Sequence, residues 1–294
     1  MPAENHKTYL ELAIEDGQAE FTHEGKTERI RYIAANHSER WTDPEEKIRA
    51  EFWAELIYKY EYDPKRIKFE VRVPRRTPND SADLVIYKDD EAKDPYFVFE
   101  IKRADISDAE FTQAIEQACG NRSGLDAPFC GAIAGLTRRL LRFDDRKKYP
   151  PGERDHNHLT DIPIRYGKPP EWRFYKDKPG QDLSAVPREE LRSAIRKCHQ
   201  TLWEGGRRSP IAAFGEFCKI VFVKYRDEKN PDHLEGEPYA FQRRSEESSD
   251  HLAKRIFKLY ATEQEKEPGV FTDQINRPLA KVTQEDLILG RKSS

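Results

Sequence analysis

Apolar residues recur every four positions between residues 44 and 60, where they alternate with charged ones. This spacing predicts an amphipathic helix with one buried face. Thr42 or Asp43 can cap its start, and Pro44 suits the first turn. The apolar positions that form the face are Ile48, Phe52, Leu56 and Tyr60, widened by Trp53 and Ile57.

A series of strands and a second helix follows this first helix. Strict alternation predicts a half-buried strand at IKFEVRVP, residues 67–74. Two apolar runs, ADLVIY (82–87) and YFVFEIK (96–102), predict two further strands. SDAEFTQAIEQACG (107–120) predicts a capped helix, and CGAIAGL (130–136) and RLLRF (139–143) predict two short strands. The predicted order is helix, three strands, helix, two strands.

The flanking regions differ in composition. Residues 1–41 form an N-terminal extension in which TERIRYI is a weak strand candidate. Proline, glycine and charge dominate residues 144–187, which predicts a linker. Three helices are predicted in residues 188–294, and the one beginning at Ser209-Pro210 is apolar nearly all round and is expected to be buried. The fold class is therefore α/β, a mixed sheet flanked by helices at 42–143, followed by a smaller all-α domain.

Composition limits the partners. Charged residues make up 36% of the chain, yet the net charge is only −3, so a polyanion would have to be held by local basic patches. The four cysteines have no C-x-x-C spacing, which is typical of reduced thiols. Neither a signal peptide nor an apolar run long enough for a membrane helix is present, so a cytoplasmic protein is expected.

Three charged residues interrupt the two apolar runs. Glu100 and Lys102 lie two residues apart and share one face of their strand, and Asp83 begins the neighbouring strand. If the strands pair, two carboxylates and one amine converge. Two hard oxygen ligands suit Mg²⁺, and a cation beside a metal-bound water suits phosphodiester hydrolysis. An E-x-K triplet alone is weak evidence, but here it breaks a pattern that is apolar on both faces.

PEEKIRAEF, ADLVIY, VFEIK and AIEQA occur in an order and spacing that resemble the PD-(D/E)XK nucleases, and more closely the N-terminal nuclease domain of type I restriction enzyme R subunits. The resemblance covers about residues 42–136 and implies a restriction-endonuclease-like sheet. By this resemblance, Asp83 and Glu100 would bind Mg²⁺, with Mn²⁺ as a substitute, and Lys102 would position the attacking water.

Two further positions follow from the same resemblance. The family's helix glutamate falls on Glu46, which could equally close a capping box with Asp43. The family's helix glutamine falls on Gln117, with Gln113 an equal candidate, while Asn121 stands where a tyrosine is often found.

Residues 197–228 are similar to the helical segment that precedes the catalytic domain of N6-adenine DNA methyltransferases, where it helps to bind DNA and partner subunits. A glycine-rich S-adenosylmethionine loop and an N-P-P-Y/F stretch are missing from the chain. We therefore expect the front part of a longer restriction-modification fusion. A methyltransferase domain or a specificity subunit would be its partner.

Basic side chains offer candidate phosphate contacts. His-x-His in DHNH (155–158) is interpreted as a solvated loop. The predicted function is a Mg²⁺-dependent endonuclease acting on double-stranded DNA; the alternative is an inactive nuclease-like DNA-binding or scaffolding module. The candidate DNA-binding residues are Arg138, Arg139, Arg142, Arg146, Lys147, Lys148, Arg207 and Arg208.

Overall fold

The structure, a computed structural model, describes residues 7–74, 80–143, 157–204 and 210–267. The chain divides into two compact units, Met1–Glu171 and Trp172–Ser294. The elements of the first unit are α1 (Tyr9–Glu15), β1 (Ala19–Glu24), β2 (Thr27–Tyr32), β3 (His37–Arg40), α2 (Pro44–Tyr58), β4 (Ile67–Arg72), β5 (Ser81–Tyr87), β6 (Pro95–Lys102), α3 (Asp108–Leu125), β7 (Phe129–Ala134), β8 (Thr137–Arg142) and β9 (His158–Leu159). The second unit contains α4 (Arg188–Glu204), α5 (Pro210–Glu228) and α6 (Ser249–Lys266).

The predicted α/β class with a mixed sheet is confirmed. Six strands form one sheet in the order β4-β5-β6-β7-β8-β9. All of its pairs are antiparallel except β6 and β7, which are parallel and are connected by α3. A parallel pair requires such a crossover, and a helix usually supplies it. The predicted order of one helix, three strands, one helix and two strands matches α2 to β8.

The central strands are buried on both sides, which explains their continuous apolar runs. One apolar cluster joins α2 to the sheet and includes Phe52, Phe97 and Phe99. A second cluster joins α3 to the sheet and includes Val98 and Ala118. Because successive strand residues point to opposite faces, neighbouring residues of β6 belong to different clusters. The sheet is therefore the middle layer between two helices.

Residues 7–41 are not a separate extension, which corrects the predicted boundary. They form α1 and an antiparallel sheet of β1, β2 and β3. Ile30 and Tyr32 are fully buried. The Tyr32 ring lies 4.8 Å from that of Trp53 on α2 and 4.3 Å from that of Phe69 on β4. The small sheet thus shares the core of the first unit.

The predicted linker, residues 144–187, also contains ordered structure in its described part. Leu159 in β9 pairs with Leu140 and is buried together with Ile162. Tyr60 donates a hydrogen bond of 2.5 Å to Asp161, and Tyr62 donates one of 2.5 Å to the carbonyl of Pro163. Residues 157–171 therefore complete the first unit.

The beginning of the second unit is anchored to the segment between α5 and α6. The backbone amides of Arg173 and Phe174 both donate to the side-chain oxygen of Gln242. Proline and charge dominate the sequence signal of residues 144–187, so short anchors of this kind escaped prediction.

The second unit is helical, as predicted. Val223 and Tyr260 form its small apolar core between α5 and α6. Arg255 ties the connecting segment to α6 by two hydrogen bonds of 2.9 Å to the carboxylate of Glu247. The expectation that α5 is buried is wrong for two of its described side chains, because Phe214 and Tyr225 are each 57% exposed. Across the described residues of both units, no helix has the length and apolarity to cross a membrane.

We expect Ile30→Ala to lower the free energy of unfolding of the first unit by about 2–5 kcal/mol, the range for deleting a large buried aliphatic side chain. The matched control is Ile33→Ala, because Ile33 follows β2 and is 42% exposed; its expected cost is below about 0.5 kcal/mol. Denaturant unfolding measures both values. Equal costs would contradict the assignment of β2 to the core of this unit.

Candidate active site

Two carboxylates and a lysine meet where β5 and β6 lie side by side. The antiparallel register pairs Leu84 with Phe99, which places Asp83 beside Glu100. The Lys102 ammonium nitrogen lies 3.9 Å from Asp83 Oδ2 and 3.8 Å from Glu100 Oε2. Asp83 Oδ2 also accepts a hydrogen bond of 2.6 Å from the backbone amide of Ile101. The structure thus brings together the three residues that interrupt the apolar runs.

Glu100 is held in a buried environment. Glu100 is 0% exposed, and Asp83 is 9% exposed. Glu100 Oε1 accepts a hydrogen bond of 2.5 Å from Asn121 on α3, whereas Oε2 has no hydrogen-bond partner among the described residues. Burial, together with the neighbouring Asp83 carboxylate, raises the pKa of Glu100 to about 9. Without a bound cation, Glu100 is therefore difficult to ionise.

The first turns of α2 add a carboxylate and a guanidinium to this group. Glu45 Oε1 lies 3.7 Å from the Lys102 ammonium. Burial raises the pKa of Glu45, an effect that the charge of Lys102 opposes. Arg49 is buried and lies 3.7 Å from Asp83 Oδ1 and 2.8 Å from Glu70 on β4. Arg49 thus links α2 to the two strands that precede β6.

Glu46 does not reach Lys102. It is 3% exposed, accepts a hydrogen bond of 2.5 Å from the Tyr32 hydroxyl and lies 3.3 Å from Arg49. Burial raises the pKa of Glu46 to about 7. The alternative capping box does not form either, because the Asp43 side chain accepts from the amide of Glu45 instead. The carboxylate of α2 that contacts the predicted site is Glu45.

The α3 residue that contacts Glu100 is Asn121, rather than either of the candidate glutamines. Asn121 is 0% exposed and donates to Glu100, as described above. Gln117 is half-buried one turn earlier on α3, and Gln113 is exposed. One feature of the sequence could have indicated Asn121. It lies four residues after Gln117 and therefore on the same face of the helix.

The candidate DNA contacts are only partly within the described residues. Arg138 lies 2.5 Å from Glu55, and its side chain is 15% exposed, so it forms a largely buried ion pair rather than a surface contact. Arg139 and Arg142 are half-buried positions of β8. The remaining candidates, Arg146, Lys147, Lys148, Arg207 and Arg208, lie outside the described residues.

Asp83 and Glu100 offer only carboxylate oxygens, a donor set that suits Mg²⁺ or Mn²⁺ rather than a metal that prefers sulfur or imidazole ligands. In the described part of the chain, no group of three or more His, Cys, Asp or Glu side chains could by itself hold a metal ion. Mg²⁺ keeps several of its waters and needs only one or two protein carboxylates. A buried oxygen without a hydrogen bond, Glu100 Oε2, is the atom that such an ion would satisfy.

The family model described as type I restriction enzyme R protein N terminus matches residues 44–163. The matched stretch contains α2, α3 and the whole six-stranded sheet. It also contains the site residues Glu45, Glu46, Arg49, Glu70, Asp83, Glu100, Lys102 and Asn121. This match supports a nuclease-like module of a restriction system in the first unit. A search of the curated proteins found no match.

We expect Glu100→Gln to flatten the pH dependence of stability in the metal-free protein. The pKa of Glu100 is about 9 in the fold against an ordinary value of 4.5, so between these values the folded chain holds a proton that the unfolded chain has lost. The free energy of unfolding therefore falls as the pH rises through this window. Glu100→Gln has no carboxyl group at this position and therefore lacks this pH dependence. It keeps the pH dependence that comes from Glu46, whose pKa is also raised.

Denaturant unfolding with a chelator, at several pH values from about 5 to about 9, measures the slope. Glu91→Gln, at an exposed position in the turn between β5 and β6, is the control and should keep the wild-type slope. A wild-type slope in Glu100→Gln would mean that the Glu100 carboxyl ionises as readily in the fold as in the unfolded chain.

Proposed function

We propose that the first unit is a Mg²⁺-dependent DNA endonuclease module of a restriction-modification system. The observation that carries the proposal is the convergence of Asp83, Glu100 and Lys102 at one buried point of the sheet. The match to the R protein N terminus supports the same class of function. Mn²⁺ can substitute for Mg²⁺ because both prefer carboxylate and water ligands.

The local balance of charge supports a cation site. Five carboxyl groups and two cationic side chains form the connected group in the described residues: Asp83, Glu100, Glu45, Glu46 and Glu70 with Lys102 and Arg49. The carboxyl groups exceed the cations, and buried charge without a partner is costly. A divalent ion between Asp83 and Glu100 would offset part of this excess.

Each side chain of the group has a distinct part in the proposal. Asp83 and Glu100 would hold the ion, which would polarise a phosphoryl oxygen and acidify a water. Lys102 is 27% exposed at its side chain, whereas the Glu100 side chain is 0% exposed. The ammonium is therefore the more accessible group, and it can donate to an attacking water or to the phosphate. Glu45 orients this ammonium from the α2 side.

We propose double-stranded DNA as the substrate, and a methyltransferase domain or a specificity subunit as the partner. The family match supports the substrate, because R proteins belong to restriction systems. For the partner, the support is the sequence similarity of residues 197–228 to the helical segment of N6-adenine DNA methyltransferases. In such an assembly the first unit would supply cleavage and another component would supply recognition of the DNA sequence.

We expect Lys102→Ala and Asp83→Asn each to reduce metal-dependent plasmid nicking by about 100-fold or more, the usual effect of removing a group that stabilises developing charge. Nicking by the purified full chain is measured with Mg²⁺ and with Mn²⁺. The control is Lys93→Ala, because Lys93 is exposed in the turn at the other end of β6 and should leave activity unchanged.

Wild-type nicking by either variant would remove that residue from the mechanism. Absence of both nicking and metal binding in the wild-type chain would replace the proposal by the alternative, a nuclease-like module that binds DNA or serves as a scaffold.

A further inference from the structure

We propose that Asn121 is a positioning residue for the metal site, because its amide group holds one oxygen of Glu100 and leaves the other oxygen to the ion. The inference rests on the proposed function, since it concerns the same ion. It adds a residue on α3 to a site whose other members come from α2, β4, β5 and β6.

The Asn121 side chain is fixed by two acceptors. Its amide nitrogen lies 2.5 Å from Glu100 Oε1 on β6 and 3.3 Å from the backbone carbonyl of Ser81 on β5. An asparagine amide has two N–H donors, so one can serve each acceptor. The residue is 0% exposed, which keeps competing water away from both bonds. Asn121 therefore connects the two strands that carry the carboxylates.

This hydrogen bond makes the two oxygens of Glu100 unequal. Oε1 is occupied by Asn121, whereas Oε2 has no hydrogen bond in the described residues and lies on the side of Lys102, at 3.8 Å. Lys102 is also the neighbour of Asp83. The Glu100 oxygen without a hydrogen bond is thus the one that shares Lys102 with the second carboxylate, and a shared ion would lie on this side.

A neutral donor is suited to this position. A lysine or arginine would also hold Oε1, but its positive charge would repel the ion. An amide fixes the carboxylate without adding charge, as the hydrogen-bonding partners behind metal ligands commonly do. Loss of such a partner typically costs about 10–100-fold in metal affinity or activity.

A purely structural role for Asn121 makes a different prediction. If the side chain only ties α3 to the sheet, its removal lowers stability but does not change the affinity of a folded protein for metal. Asn121→Ala and Asn121→Leu test this, and the leucine variant keeps most of the buried volume. Cys119→Ala is the matched control, since Cys119 is buried on α3 two residues earlier, 3.7 Å from Cys130 on β7.

Mn²⁺ binding to the full chain is measured by calorimetry on variants whose folding has been checked by denaturant unfolding, with Glu100→Gln as the reference for a lost ligand. We expect Asn121→Ala and Asn121→Leu to weaken Mn²⁺ binding by about 10–100-fold, and Cys119→Ala to bind as the wild type does. We also expect nicking by the Asn121 variants to recover at higher Mn²⁺ concentration. In a variant that is already fully folded without metal, a structural defect would not produce such recovery.

The outcomes separate this inference from the proposed function. Wild-type affinity in both Asn121 variants, together with lost binding in Glu100→Gln, overturns the role of Asn121 alone. Unchanged binding in Glu100→Gln, or no binding by the wild-type chain, overturns the metal site and the role of Asn121 with it. Weakened binding in Cys119→Ala equal to that in the Asn121 variants also overturns the inference, because the effect would then follow from packing of α3.

Discussion

The burial of two neighbouring carboxylates, Asp83 and Glu100, is the constraint on which the rest of the first unit depends. Both lie within strands that are covered on both faces, and Glu100 has no contact with solvent. A buried carboxyl group must be hydrogen-bonded, paired or protonated. The fold supplies a backbone amide and a guanidinium to Asp83, an amide to Glu100 and one ammonium between them. Each of these neighbours thus offsets part of the electrostatic cost of burying the two carboxyl groups.

The layered architecture explains how groups from both helices reach the same point. α2 and α3 pack in separate apolar clusters that share the sheet as their middle layer. Arg49 on α2 and Asn121 on α3 are nevertheless both in contact with the carboxylates. Residues 7–41 contribute indirectly, since Tyr32 in β2 donates to Glu46, the partner of Arg49. The small sheet therefore supports the α2 side of the site as well as the core.

The sequence allowed good prediction of the sheet and its two helices because their signals are local. Alternation, apolar runs and helix caps each extend over a few residues, and α2 to β8 follow the predicted order. Asp83, Glu100 and Lys102 could be singled out because they break an apolar pattern on strands that are neighbours in sequence. The three strands of residues 7–41 gave weak signals, since only a few of their side chains, such as Ile30 and Tyr32, are buried.

The finer details of the site depend on tertiary contacts that a pattern does not contain. Glu45 and Glu46 are adjacent, and the direction in which α2 meets the sheet decides which of them contacts Lys102. The role of Asn121 depends on how α3 packs across β5 and β6, which its own helix periodicity does not specify.

The chemistry of the proposed site is confined to one part of the chain. The side chains that form it extend from Glu45 to Asn121, inside both the first unit and the family match at 44–163. A site of this kind carries an energetic cost of its own, because its buried carboxyl groups must be paired, hydrogen-bonded or kept protonated as long as no cation is bound. Binding to the folded state alone stabilises that state by mass action. In the proposed function, the arrangement that makes the carboxylates expensive to bury would therefore also give a divalent ion its affinity, so stability and the proposed activity would depend on the same residues.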